Sequence, residues 1–227
     1  MSKLIWDETG KKLYETGVDR MVLYPETSGS YSNGVAWSGV TGFTESPSGA
    51  DATKIYADNR KYLTLRGPED YGATIKCYQY PPEWEKCNGL ISPVKGLYFG
   101  QQPRSTFGLS CRTVIGNDID GSKHGYKLHL IYGATCSPSE RDYGTINDSP
   151  EAIEFSYEIS ADPVSVAALT TDGKEYEPLA SIVIDSTEVD SAKLAALEKI
   201  LYGDNAAESA PARLPLPDEV ITLLKGE

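Results

Sequence analysis

Apolar and polar positions alternate through most of this chain, and that alternation predicts strands. The clearest stretch follows Glu151. Ile153, Phe155, Tyr157 and Ile159 point one way, while Ala152, Glu154, Ser156, Glu158 and Ser160 point the other, until Pro163 closes the run. Similar patterns predict strands over 21–24, ending at Pro25, and over 61–66, 73–80 and 181–185. Thr106 to Ile115 and Gly125 to Cys136 read as a hairpin joined by the turn GNDIDGSKHG. Short strands are expected around Gly10 and Gly17, and a brief helix opens at Pro81-Pro82 and ends at Gly89.

Only one segment carries a strong helical period. In VDSAKLAALEKILYG, Asp190 is placed to cap, Leu194, Leu197, Ile200 and Leu201 form a stripe, and Gly203 stops the helix. After a linker-like DNAAESAPAR, the end LPLPDEVITLLKGE starts a second helix at Pro217. It is too short to hold alone, so Val220, Leu223 and Leu224 are expected to dock on something. Residues 26–59 show no clear period and are rich in Gly, Ser, Thr, Asn and Asp, which predicts a long loop. Its Tyr31, Trp37, Phe43 and Tyr56 argue against plain disorder, since such side chains normally pack on something, with another subunit among the options. The domain reading is therefore 1–203 as one β domain carrying the loop, and 204–227 as linker and helical arm.

Composition narrows the functions. The chain has 33 acids against 21 bases, a net charge of −12, which argues against holding nucleic acid by phosphate neutralisation. The 15 tyrosines suit half-buried strand and interface positions. Cys77, Cys87, Cys111 and Cys136 form no CxxC pair and fit reduced thiols better than a disulfide framework. The N-terminus has no apolar h-region, so no signal peptide is expected, and no run suggests a membrane span. HExxH, GxSxG, GxGxxG and Walker A patterns are absent. His129, between Leu128 and Leu130, reads as a strand-face histidine. GNDIDG fails as an EF-hand because Gly116 and Lys127 occupy the positions that need carboxylates. Glu154 and Glu158, about 13 Å apart on one strand, are too far apart for the usual catalytic pair. No enzyme is expected.

Several stretches resemble a known family. These are ESPSGADATKIYADNRKYLTLRG (45–67), GATIKCYQYPPEWEKCNG (72–89), the run from Gly100 to Ser160, and DSAKLAALEKILYG (190–203). Together they are similar to the major tail protein, or tail tube protein, of long-tailed, non-contractile bacteriophages and prophages. The resemblance implies a mainly β fold, a β-sandwich or barrel-like core with a flanking helix, assembling into hexameric rings that stack into a tube. It implies no cofactor, metal or catalytic residue. Its partners would be further copies, a tape-measure protein, and tail tip and terminator proteins. DNA would transit the lumen without specific binding, and the protein would reside in the virion tail after assembly in the bacterial cytoplasm.

On that resemblance Glu154 and Glu158 become candidates for an acidic lumen wall. Tyr31, Trp37, Phe43 and Tyr56 become candidate inter-ring contacts, and Val220, Leu223 and Leu224 candidate contacts of a C-terminal assembly arm. The tube of a phage-tail-like bacteriocin would look the same in sequence. A carbohydrate-binding β-sandwich is the reading from another class, but it lacks a clustered aromatic platform.

Overall fold

A computed structural model describes residues 4–146, 148–149, 151–168, 173–204 and 211–226. The protein is mainly β. In chain order the first strands are β1 (Tyr14–Thr27), β2 (Ser30–Tyr31), β3 (Val35–Ala36), β4 (Val40–Glu45) and β5 (Ser48–Gly49). A hairpin of β6 (Ala52–Ala57) and β7 (Arg60–Arg66) precedes β8 (Glu69–Cys77) and a one-turn helix α1 (Trp84–Cys87). A second hairpin, β9 (Ile91–Val94) and β10 (Leu97–Phe99), leads to β11 (Phe107–Asn117), β12 (Gly121–Cys136), β13 (Phe155–Ala161) and β14 (Ser181–Asp185). Helices α2 (Ser191–Tyr202) and α3 (Pro217–Lys225) finish the chain.

One antiparallel sheet runs β2-β1-β11-β12-β13-β8-β4, with β14 beside β12, β3 beside β1 and β5 beside β8. It curls into two leaves, and two cores follow from the curl. Between the leaves lie Leu23, Leu109, Cys111 and Ile131 from one side and Ala73, Ile75, Tyr157 and Ile159 from the other. Trp84 sits fully buried among them, its ring 4.6 Å from Trp37, 5.0 Å from Phe107 and 5.1 Å from Tyr157. The opposite face of β1, β12 and β14 presents Val22, Tyr24, Leu128, Leu130, Tyr132 and Ile184, which α2 and α3 cover. The result is three layers: leaf, leaf and helices.

β12 belongs to both leaves. It pairs β14 from Lys127 to Ile131, then β13 from Ala134 to Cys136. Gly133 is the corner between, with φ +60° and the space for a Cβ only 2.2 Å from the Asp162 carbonyl oxygen. Backbone cannot move aside as a side-chain tip would. Gly133→Ala is therefore expected to lower stability by about 2–4 kcal/mol, from the left-handed φ and the overlap together. Denaturant unfolding measures it, and a loss under about 1 kcal/mol would place the corner elsewhere.

Several expectations need correction. The N-terminal strands form one long β1, running through Gly17 and Pro25, and two register shifts against β11 hide its alternation. The segment 26–59 is not a loop but a succession of short strands from β2 to β6. β13 starts at Phe155, so Glu151 to Glu154 precede it, and Ile153 is exposed. The β11–β12 turn is tighter than GNDIDGSKHG, because the Asn117 carboxamide oxygen accepts from the backbone N–H of Ile119 and Asp120 and closes it early.

The C-terminal helix is core, not a free arm. Val220 is buried in the second core, with Leu223 and Leu224 packed against it. Tyr132 donates its hydroxyl to the Pro215 carbonyl at 2.9 Å, Leu214 N–H bonds the Tyr31 carbonyl, and Lys193 caps the carbonyls of Leu224 and Lys225. Of the linker between the helices, residues 205–210 lie outside the described residues. The Asp190 cap forms as expected, accepting from Ala192 and Lys193 N–H at 3.0 and 3.2 Å.

Candidate functional surface

Three faces of the two leaves are covered, and the fourth is not. The inward positions of β8 (Ala73, Ile75, Cys77) and β13 (Tyr157, Ile159, Ala161) are buried. Side-chain alternation then sends Thr74 and Lys76 of β8, and Ser156, Glu158 and Ser160 of β13, to the other side. Register places Thr44 beside Thr74 on β4 and Thr135 beside Ser160 on β12. This face contains no apolar side chain at any of those positions. Hydroxyls dominate it, and its charges are one carboxylate and one ammonium on diagonal positions, Glu158 opposite Thr74 and Lys76 opposite Ser156.

Hydrogen bonds within the chain fix this face. Glu158 N–H donates to the Ser139 hydroxyl at 2.9 Å and the Glu158 carbonyl accepts from Ser137 N–H, so the chain after β12 runs on along β13. Thr135 and Ser160 hydroxyls approach to 3.4 Å. Beneath, Arg141 folds over the rings of Tyr80, Phe155 and Tyr157 and donates to the Tyr157 hydroxyl at 3.0 Å, pinning the same stretch to the core. Among the described residues β4 pairs with β8 alone, so its other edge carries no strand partner.

The sequence-selected residues separate in three dimensions. Glu158 is on the polar face. Glu154 sits before β13, its carboxylate accepting from the Thr41 hydroxyl at 2.5 Å, so the two acids do not make a continuous acidic stripe. Tyr31 and Trp37 are interior residues: the Tyr31 hydroxyl accepts the Gly133 N–H at 2.9 Å, and the Trp37 indole N–H donates to the Gln79 carbonyl at 2.8 Å. Their burial removes them from contact with another subunit. Phe43 is half-buried against the first core, and only Tyr56, on the β6–β7 hairpin, is freely exposed, at 67%.

Of two projecting features, the sequence pattern showed only the 61–66 strand of the first. Both hairpins stand outside the main sheet and carry exposed apolar side chains: Tyr56, Tyr62 and Leu65 on one, Val94, Leu97, Tyr98 and Phe99 on the other. The second had a signal, ISPV and LYF joined by Lys95-Gly96, with Gly96 at φ +86°.

Other groups are occupied structurally. His129 shares a 2.9 Å hydrogen bond with the Thr113 hydroxyl, and burial lowers its pKa. The four cysteines are free and buried, and burial pushes their thiols up, to about 11 for Cys77 and Cys136 and about 12 for Cys87 and Cys111. Such thiols are poor nucleophiles near neutral pH. Among the described residues no group of three or more His, Cys, Asp or Glu is arranged to hold a metal ion, and no helix is long and apolar enough to cross a membrane.

No family model matches the chain, and no curated protein sequence matches it. Among solved structures it is similar to a chain described as "Cryo-EM Structure of an Extracellular Contractile Injection System, PVC sheath-tube complex in extended state", with a TM-score of 0.32 and 11% identity over 73% of this chain and 88% of that chain.

Proposed function

We propose that this chain is a structural, non-enzymatic tail tube subunit of a long-tailed, non-contractile phage or prophage, polymerising as stacked hexameric rings around a lumen that conducts DNA. The observation that carries the reading is the uncovered leaf β13-β8-β4: a broad sheet with a packed inner face, an outer face free of apolar side chains, and an open edge at β4. A lone sheet edge invites pairing with another chain, and a closed ring of six satisfies every edge without aggregation. The sequence resemblance supplies the number six and the direction of assembly.

In this reading the hydroxyl-rich face is the lumen wall. It presents hydrogen-bonding groups that hold water and few charges that hold phosphate, so a polyanion passes without a binding site. The wall is thus nearly neutral rather than acidic. Glu158 contributes to it, Glu154 stands at its margin, and Tyr56 on the β6–β7 hairpin reaches the next ring. A tape-measure protein would fill the lumen before DNA, and tail tip and terminator proteins would close its ends in the virion.

Negative-stain imaging of concentrated protein tests this. Hollow tubes or six-fold rings are expected. Monodisperse single subunits at high concentration, with retention on immobilised glycans, would instead favour the carbohydrate-binding alternative.

A further inference from the structure

We propose that His129 is an acid-sensitive wedge at the mouth of the sandwich, and that its protonation loosens the end of β4. The device belongs to the single folded chain and stands whether or not that chain builds a tube.

The inward side of each leaf changes character along its strands. On β8 it runs Cys77, Ile75, Ala73 and Tyr71, and β4 sets Phe43 beside Ile75 and Glu45 beside Ala73. On the facing leaf, β12 carries Ile131, His129 and Lys127 on that side, paired with Leu109, Cys111 and Thr113 of β11. The space between the leaves is thus apolar at one end and polar at the other, with His129 at the boundary. Cys111 and Val183 stand directly opposite it on its two neighbouring strands. Cys111 is fully buried and Val183 is 51% exposed, so the ring has core on one flank and water on the other.

The two ring nitrogens are unequally served. Nε2 lies 2.9 Å from the Thr113 hydroxyl. Nδ1 is shielded from water and, among the described residues, has no hydrogen-bond partner. A neutral imidazole that donates from Nε2 leaves only a lone pair at Nδ1. A proton added there brings an N–H and a charge to a place with no acceptor, and burial accordingly lowers the pKa.

The surrounding charges do not relieve this. Glu45 accepts from the Tyr71 hydroxyl at 2.8 Å, and Glu15 is paired with Lys127, whose ammonium opposes the proton further. Asp19 is held by Arg112, and Asp185 by Thr187. The Cys111 thiol, pushed up to about 12, stays neutral. Protonated His129 therefore gains an acceptor by drawing Glu45 away from Tyr71. Glu45 is the last residue of β4, a strand paired with β8 alone, so the end that must yield is at an edge.

The unfolded chain takes up this proton near pH 6.5 and the folded chain only below that value, about 6.5 being the ordinary histidine pKa. Stability is therefore full above about pH 6.5 and falls as pH drops through it, by up to about tenfold in the unfolding constant per pH unit.

The chain has 2 histidines, so their titration by NMR is readily assigned. His129 should titrate below about pH 6.5. Amide exchange over Val40–Glu45, corrected for its intrinsic pH dependence, should quicken between about pH 7.5 and 5.5, a window that brackets imidazole titration. His129→Gln keeps a partner for Thr113 and takes no proton, so its unfolding midpoint should be equal at both pH values. His124→Gln should keep the wild-type loss. Tyr71→Phe frees Glu45 and should raise the His129 titration midpoint, a readout that serves even where His129→Gln does not fold. A His129 that titrates at or above the ordinary value, a His129→Gln chain that keeps the wild-type loss, or a midpoint unmoved by Tyr71→Phe overturns the proposal.

Discussion

Removing everything after Gly203 is expected to abolish the cooperative thermal transition of the isolated subunit. Leu214 and Val220 are each 2% exposed, and they seal Tyr24, Tyr132, Leu197 and Leu201 from water. Losing two such side chains leaves cavities worth about 2–5 kcal/mol each. The total is comparable with the entire stability of an ordinary domain, about 5–15 kcal/mol. Tyr132 and Lys193 would also lose their partners, the carbonyls of Pro215, Leu224 and Lys225. Leu214→Ala isolates one component and should cost about 2–5 kcal/mol with folding retained. Circular dichroism melts of both variants decide the matter. A truncated chain with the wild-type transition would restore the C-terminal segment to the status of an assembly arm.

The second large effect concerns the polar leaf. Glu158→Lys with Ser160→Lys changes each subunit by three charge units, two from the first and one from the second, on neighbouring outward positions of β13. Thr135 and Thr74 lie across from them, so no like charges are set directly opposite. Tubes carrying six or more such contacts per ring should retain DNA, with an affinity that falls about 10³-fold between 50 and 200 mM salt. Glu158→Gln removes the acid without adding a base and should leave DNA retention near the wild-type level. Virions bearing the lysines should eject slowly at low salt. Normal ejection at every salt concentration would move this face to the outside of the tube.

Elements built from local signals were legible in the sequence. The Asp190 cap and leucine stripe marked α2, and unbroken alternation marked β11, β12 and β14. β1 was not legible as one strand, because Gly17 and Pro25 punctuate it and its bulges shift the apolar face midway. The strands from β2 to β5 run two to six residues, too short for a period to declare itself. Trp37 illustrates the remaining difficulty. Its neighbours are Gly, Ser and Ala, yet its ring meets Trp84 across the core, a contact that no local pattern encodes. The polar face was half legible: alternation separated Glu158 from Tyr157, but only the pairing with β8 and β4 revealed that its surroundings are hydroxyls rather than acids.

The antiparallel pairing of β1 with β11 sets a timetable for synthesis. Tyr14 must wait for Gly116 and Pro25 for Phe107, so the first long strand leaves the ribosome about 100 residues ahead of its partner. At translation rates of about 5–20 residues per second that is a delay of roughly 5–20 s. The layer that covers Tyr24 and Tyr132 then arrives with the final helix. Nascent chains crowded on one message therefore hold no finished sheet to offer one another until those late elements have arrived.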